Sequence, residues 1–355
     1  MIADLRLARR RDGPDLELIA RLEEAIDRAL TPLIPRDRGL ALIDFPNHGN
    51  VGDVLIWLGE QRWLRDHGYD VDYVADQRSY SARTLRRRIG RGTVLIHGGG
   101  NLGDVWPQWQ RFRERAIAEL GDQRIVQLPQ TIRFSSDDAA RSAAAVMDAH
   151  PDLHLLCRDH ASLEYARERF AARAALCPDF AFALGPLART QDPDLDLLVL
   201  SRTDAERSAA ALDAGGAERA LVTDWTVEGP QDAGYSRVWE RLQYQSWRFG
   251  RRLNRPTPQN MLALDALGLV YEWLARDRAR FGRRLLSRGR VVVTDRLHGH
   301  VLALLLGIPN VVLDTGYGKI SRFVEAWTAP AVQSRVAQDP AQAAAMAQEL
   351  LSGAG

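Results

Sequence analysis

Short apolar runs alternate with longer segments of helical period along most of this chain. Leu16 to Leu30 is an amphipathic helix that stops at Thr31-Pro-Leu-Ile-Pro35. Gly39 to Phe45 then reads as a strand, Val54 to His67 as a helix, Asp70 to Ala75 as a strand and Ser79 to Arg88 as a basic helix. From Thr93 the scheme of strand, glycine-bearing loop and helix repeats. Arg124 to Leu128 reads as a strand with a loop from Pro129 to Phe134 after it, Asp137 to His150 as an Ala-rich helix, and Leu153 to Ser162 as a strand running into a helix. Regular alternation of strands and helices predicts an α/β fold with parallel sheets.

Pro186 to Pro193 is the candidate linker, and Leu195 to Leu200 opens a second α/β unit. At 355 residues the chain exceeds the length at which one core usually keeps growing, so two domains are expected, 1–188 and 189–355. Asn260 to Leu286 is helical. Val291-Val-Val293 reads as a buried strand, Val301 to Leu306 as a helix closed by Gly307, and the stretch that starts at Pro309 and runs to Ser321 as another strand and glycine loop. Arg322 to Trp327 and residues 340–351 are terminal helices.

Composition narrows the function classes. The chain is 46% hydrophobic and 26% charged, as a globular domain should be, and 47 basic against 46 acidic residues leave a net charge of +1. That balance argues against a global grip on nucleic acid. Cys157 and Cys177 are too few for a disulfide framework and lack metal-site spacing; no metal or cofactor is implied. The charged amino terminus and the lack of any apolar stretch near ~18 residues predict a cytoplasmic protein. Of the basic residues, 46 are Arg and only Lys319 is Lys. A GC-rich genome accounts for the bias, which makes the surviving Lys conspicuous.

The chemistry lies where strands run into helices. Thr294-Asp-Arg-Leu-His-Gly-His300 places a guanidinium and two imidazoles at the carboxyl end of a strand and the amino end of a helix, where open α/β sheets bind ligands and helix N–H groups favour an anion. Pro46-Asn-His-Gly-Asn-Val-Gly-Asp53 and His97-Gly-Gly-Gly-Asn-Leu-Gly-Asp104 are glycine loops of the same kind, spaced like neither the dinucleotide fingerprint nor the P-loop. Arg158 and Arg202 stand at further strand ends, the latter in Ser201-Arg-Thr-Asp204, and Lys319 follows a strand in Thr315-Gly-Tyr-Gly-Lys-Ile-Ser321. Residues 235–255 interleave Tyr235, Trp239, Tyr244, Trp247 and Phe249 with Arg237, Arg241, Arg248, Arg251, Arg252 and Arg255. Such a helix suits a membrane surface or anionic glycolipid, or an inter-domain strut with a solvated basic face.

Asn50-Val-Gly-Asp53, the His97 to Asp104 block, Leu128-Pro-Gln-Thr131, Arg158-Asp159, Pro178-Asp179 and Thr294 to His300 occur here in an order that resembles the polysaccharide pyruvyl transferases, specifically their bacterial exopolysaccharide branch. The resemblance spans roughly residues 40–327. It implies a fold similar to the GT-B glycosyltransferases, two Rossmann-like domains facing a cleft, and transfer of the enolpyruvyl carbons of phosphoenolpyruvate to two sugar hydroxyls with release of phosphate. Phosphoenolpyruvate is then a co-substrate, the acceptor a sugar that can be lipid-linked, and the 235–255 helix a peripheral membrane contact. The family's donor-site triplet falls on Arg296, Leu297 and His298. Arg158, Arg202, Lys319 and His300 are further donor-side candidates, and Asp53, His97, Gly98, Gly99, Gly100, Asn101 and Asp104 are acceptor or loop candidates.

The residues suit that chemistry independently. A donor bearing carboxylate and phosphate needs several fixed cations, which Arg supplies bidentately. Protonating its methylene carbon needs an acid with pKa near the working pH, and His298 on an exposed loop is the candidate. Each residue also has a plainer role: Arg296 in an ion pair with Asp295 or another carboxylate at the domain seam, His298 as a cap or core histidine, Asp53 and Asp104 as N-caps, His97 and the glycines in a tight turn. A nucleotide-sugar glycosyltransferase and a non-catalytic glycan-binding assembly subunit are the competing functions.

Overall fold

The computed structural model describes residues 8–203, 212, 217–226, 233–250, 252, 257–314 and 318–353. Asp204, the side chains of Tyr235 and Arg237, Arg251, Arg255 and the Thr315-Gly-Tyr317 stretch lie outside the described residues. What is described is α/β with two parallel sheets. The first holds β1 (Leu40–Ile43), β2 (Tyr73–Ala75), β3 (Thr93–Ile96), β4 (Gly99–Gly103), β5 (Arg124–Arg133), β6 (Leu153–Cys157) and β7 (Arg173–Leu176), in the order β2-β1-β3-β5-β6-β7 with β4 also paired to β5. The second holds β8 (Leu195–Leu200), β9 (Ala220–Thr223), β10 (Gly289–Thr294), β11 (Asn310–Leu313) and β12 (Ser334–Ala337), in the order β12-β11-β10-β8-β9.

Setting β4 aside and counting strands within each sheet, both follow one plan. The second strand lies outside the first, and later strands extend from the first strand's other side. The chain therefore changes winding direction between β1 and β3 in one sheet and between β8 and β10 in the other. At such a switch point two loops leave the carboxyl edge in opposite directions and open a crevice.

The helices begin largely where capping residues allow. In chain order they are α1 (Leu16–Leu30), α2 (Val51–Asp66), α3 (Ala82–Ile89), α4 (Pro107–Glu119), α5 (Asp137–Asp148), α6 (His160–Arg169), α7 (Ala233–Gly250), α8 (Pro258–Ser287), α9 (Leu297–Leu306), α10 (Lys319–Phe323) and α11 (Pro340–Gly353). Asn50 caps α2 by accepting from Gly52 N–H at 3.1 Å, so this helix starts three residues before the position expected from the apolar pattern, and Asp53 sits inside its first turn. Asp159 caps α6 through Ser162 N–H at 2.8 Å.

The stretch Pro129–Phe134, expected as a loop, is strand as far as Arg133. Pro129 is tolerated because the register between β5 and β6 shifts between Gln127 and Gln130, where the ladder skips a donor. That extension gives the glycine-rich Gly99–Gly103 a partner, so the predicted loop is a short strand. The expected helix Arg322–Trp327 is instead α10 continued by a π-turn over Val324–Thr328.

One hydrophobic core runs through both sheets, joining Leu42 and Ile96 to Leu198, Val292 and Val312. Helices from the second half cross onto the first: Tyr271 of α8 stacks on Phe45 at 4.2 Å, Gln243 of α7 donates to Asn47 O at 2.6 Å, and Ser246 meets Asn47. In return Arg10 donates to the carbonyls of Leu304 and Leu305 at the end of α9. The crevices of the two sheets are thereby held against each other.

Asp44, just beyond β1, takes the left-handed conformation (φ 71°) with its carboxyl buried, one oxygen accepting from Gln77 and the other unpartnered. Burial pushes this acid up to about 7, although Arg113 and His97 pull against it. An unfolded Asp loses its proton near 3.8, so stability present below that value is lost as pH rises toward 7, by up to about 4 kcal/mol. Asp44→Asn, which keeps the shape and tolerates the backbone, should therefore gain on the wild type as pH rises. Thermal unfolding at pH 5 and pH 8 measures this; an equal Tm difference at both would refute a buried titration.

Candidate active site

A cavity of about 180 Å³ lies where the two switch points meet. The loop after β1 supplies His48 and Asn50, the first turn of α2 supplies Asp53, and β4 with the start of α4 supplies Gly100, Asn101, Trp106 and Trp109. The end of β6 gives Arg158. From the second sheet come Arg202 after β8, Trp225 and Thr226 after β9, Arg296 to His298 after β10, and Lys319 after β11. Apart from β4 itself, each contribution stands beyond the carboxyl end of a strand, as the strand order requires.

Asp179 ties the cationic side of the cavity together. Its Oδ2 accepts from Arg158 Nη1 at 2.8 Å and pairs with His298 Nε2 at 3.2 Å, while Oδ1 accepts from Ala181 N–H. Burial alone would raise this carboxyl, but His298 and Arg158 hold it far below the usual carboxylate range. His298 therefore meets this carboxylate through Nε2, which leaves Nδ1 outside the pair. Arg158 is also held by Thr131 Oγ1 at 2.9 Å, so its guanidinium has one orientation.

Two glycines admit these side chains. A methyl group on Gly52 would come within 2.5 Å of His298 Nδ1, and one on Gly100 would lie 2.6 Å from Arg158 Nη2 and 2.8 Å from Lys319 Nζ. Only a residue without Cβ lets the imidazole sit on α2 and two cations close on β4. The amino end of α9 also opens on the cavity, adding its dipole to the positive charge.

Arg296 is the N-cap residue of α9 and is almost wholly buried. It grips Asp224 with Nε and Nη2, both at 2.7 Å. The ion pair expected with Asp295 or another carboxylate thus forms with Asp224, while the side chain of Asp295 accepts Arg202 N–H at 2.7 Å. Burial would raise Asp224, but the Arg296 guanidinium and the Thr203 and Thr226 hydroxyls bring it below its ordinary value.

Near Asp53 the chemistry changes. Asp53 Oδ2 accepts from Asn50 Nδ2 at 2.8 Å and lies 3.5 Å from His48 Nε2. Burial works to raise Asp53, but His48, His298 and Lys319 leave it lowered; burial lowers His48. Asn101 Oδ1 receives Arg113 Nη2 at 2.7 Å and Gln130 Nε2 at 3.1 Å, which fixes the amide at the cavity wall. Arg113 itself is fully buried and lowered to about 10 by desolvation.

Of the residues singled out from the sequence, Arg158, Arg202, Arg296, Leu297, His298, Lys319, Asp53, Gly100 and Asn101 meet at this cavity. His298 is not on an exposed loop, since it occupies the first turn of α9 and is largely buried. His300, expected on the donor side, is fully enclosed between Asn310 (2.8 Å) and Thr328 (2.9 Å), and burial lowers it to about 4. His97 and Gly98 lie behind the cavity, held by the buried Glu60, and Gly99 begins β4. Asp104 accepts from Ser135 N–H at 2.9 Å and does not cap α4. His48, Trp106, Trp109, Trp225, Asp179 and Asp224 were not among the candidates. Asp179 stood in a recognised motif, whereas the tryptophans carried no periodic signal.

The sequence profile of the polysaccharide pyruvyl transferase family matches residues 50–247 and 282–317. EpsO of Bacillus subtilis (strain 168), a putative pyruvyl transferase by name, is 30% identical over 312 residues, which cover 87% of this chain and 91% of that protein. Pyruvyl transferase 1 of Schizosaccharomyces pombe (strain 972 / ATCC 24843) is 28% identical over 301 residues, covering 81% of this chain and 69% of that one. A crystal structure of a functionally uncharacterized Klebsiella pneumoniae protein shares the fold, with TM-score 0.57 at 18% identity over 90% of this chain and 99% of that chain.

The Arg296–Asp224 pair has a cost that can be measured. Arg296→Met should destabilise the protein by about 3–5 kcal/mol, because it strands a buried carboxylate, and Arg296→Met with Asp224→Asn should recover much of that loss. Urea unfolding of both variants tests it, and equal stability of the two would refute the coupling.

Proposed function

The chain belongs to the polysaccharide pyruvyl transferase family, and from that premise we propose that it builds a pyruvate ketal on a sugar of an exopolysaccharide or cell-surface glycan precursor, with phosphoenolpyruvate as donor. Family membership makes it a transferase and sets aside the glycosyltransferase and scaffold readings. The observation that carries the finer reading is the convergence of Arg158, Arg202, Arg296 and Lys319 on one cavity beside an imidazole held by a buried carboxylate. A small dianion or trianion with a protonatable carbon is the ligand such a site suits.

In this reading the cations hold the donor's carboxylate and phosphate, with Arg158 pre-oriented by Asp179 and Arg296 by Asp224. His298 Nδ1 delivers a proton to the methylene carbon, which becomes the methyl group, and a sugar hydroxyl oxygen bonds to the adjacent carbon. The carbon–oxygen bond to phosphate then breaks and a second hydroxyl closes the ketal. One hydroxyl proton restores His298 and the other leaves with phosphate, so the step balances. Lys319 beside Gly100 meets the growing charge on the departing phosphate.

Two Rossmann-like domains of GT-B type are the matching architecture, with 1–188 on the acceptor side and 189–355 on the donor side. The repeated strand order and a cavity lined from both sheets support it. The enzyme belongs in the cytoplasm or at the inner face of the membrane. Among the described residues no helix is long and apolar enough to cross a membrane. Helix α7 divides its aromatic residues: Trp239 is buried under Arg278, whereas Tyr244, Trp247 and Phe249 are exposed with Arg241 and Arg248. The exposed face suits an anionic membrane carrying a lipid-linked acceptor.

Incubating the enzyme with phosphoenolpyruvate and candidate glycans should release phosphate and add one pyruvate ketal to the glycan by mass; no phosphate release with any glycan would sink the donor assignment. Lys319→Arg, whose wider head must clear Gly100 and Arg158, should lower turnover at least about tenfold, and unaltered kinetics would remove Lys319 from the site. Arg241→Gln with Arg248→Gln should weaken association with anionic liposomes while sparing a soluble acceptor. Equal liposome binding would make α7 a strut only.

A further inference from the structure

Two large rings stand at this cavity without serving the core. Trp106 and Trp109 are half-buried, and neither belongs to the hydrophobic core or is packed against it among the described residues. Trp106 also holds the N-cap position of α4, where Ser, Thr, Asp or Asn would accept a backbone N–H, and its side chain makes no capping bond. A local choice that gives up helix stability and leaves apolar area wet has a reason elsewhere, most often in binding.

The rings form a continuous wall. Trp106 meets Trp109 edge-on at 5.9 Å, Trp109 meets His48 edge-on at 5.6 Å, and His48 reaches Asp53 at 3.5 Å. Beyond Asp53 come His298 over Gly52, then Asp179 and Arg158. The cavity thus grades from aromatic to acidic to cationic. Asp53, whose carboxylate meets an amide and an imidazole, stands in the middle.

We propose that Trp106, Trp109 and His48 are the acceptor subsite, taking the C–H face of a pyranose ring, and that Asp53 accepts a hydrogen bond from the hydroxyl that attacks the donor carbon and relays its proton to His298, whose own proton has gone to the methylene carbon. The inference rests on the pyruvyl-transfer reading above and deepens it. A pyranose has a face of axial C–H bonds that suits the negative face of an indole, and hydroxyls at its edge that suit a carboxylate and the Asn101 amide. The anionic donor has no such face, so the wall separates the two substrates by chemistry. The lowered Asp53 is ionised at neutral pH and ready to accept. The half-buried rings can be trimmed without hollowing the core.

Ligand-observed saturation-transfer NMR with methyl β-glucopyranoside, methyl β-galactopyranoside and methyl α-mannopyranoside at millimolar concentration tests the subsite without any donor. At least one should take saturation at its ring C–H protons on the wild type. That signal should fall at least about fivefold in Trp109→Ala and in Trp106→Ala, and return in Trp109→Phe. Calorimetric affinity for phosphoenolpyruvate should stay within about twofold in these variants, and Asp53→Asn should lower turnover more than it lowers pyranoside binding. No saturation of any pyranoside on the wild type, or saturation unchanged in the Trp106→Ala, Trp109→Ala double variant, overturns the proposal. If pyranosides behave as expected while phosphoenolpyruvate does not bind, the subsite stands and the donor reading fails.

Discussion

The buried carboxylate of Asp179 is the interaction on which the rest of the site depends. It follows the first sheet, yet its partners are Arg158 at the end of β6 and His298 in the first turn of α9, behind the second sheet. One residue thus sets the orientation of one of the cavity's cations and of the proposed acid, and it does so across the junction of the two sheets. Such a group is costly to bury, and pairing it on both sides is what makes its burial tolerable. Its strongly lowered pKa means that the carboxyl itself stays ionised through the neutral range.

The position of that junction follows from topology. Both sheets wind outward from their first strand, so both open a crevice at the carboxyl edge. Packing α8 and α7 against the first sheet, and α2 against α9, brings the crevices together and leaves no room for Cβ at Gly52. A substitution far from any ligand, such as one that displaces Tyr271 from Phe45, would therefore act on the site by moving one crevice against the other.

Most of the strand and helix order was legible, because runs such as Val291-Val-Val293 and Leu197 to Leu200 are buried on both faces and stay continuously apolar. β4 was not legible. Gly99–Gly103 has no branched residue at Cβ, and it is a strand only because β5 continues past Pro129 to offer it an edge. Among site residues, Arg158, Arg296, His298 and Lys319 could be found from their place at strand ends. Which carboxylate each cation meets could not, since Asp224 and Asp179 are 72 and 119 residues away from Arg296 and His298. His300 shows the converse: further into the helix, the same residue type beside the same motif is a core histidine bonded to Asn310 and Thr328.

The contrast between Arg and Lys here is a matter of geometry. Arg158 and Arg296 each have nitrogens committed to a protein carboxylate, so a planar fork is held by the scaffold while it lines the cavity. Fixing the fork in advance removes the rotamer entropy that binding would otherwise cost, and it keeps the cations in place as charge moves during reaction. Lys319 lies where Gly100 has been stripped to hydrogen and Arg158 already fills the neighbouring space. A second guanidinium would have to share this corner with that of Arg158, whereas an ammonium is compact. In a chain whose other basic residues are all Arg, that difference in shape is sufficient reason for one Lys to remain.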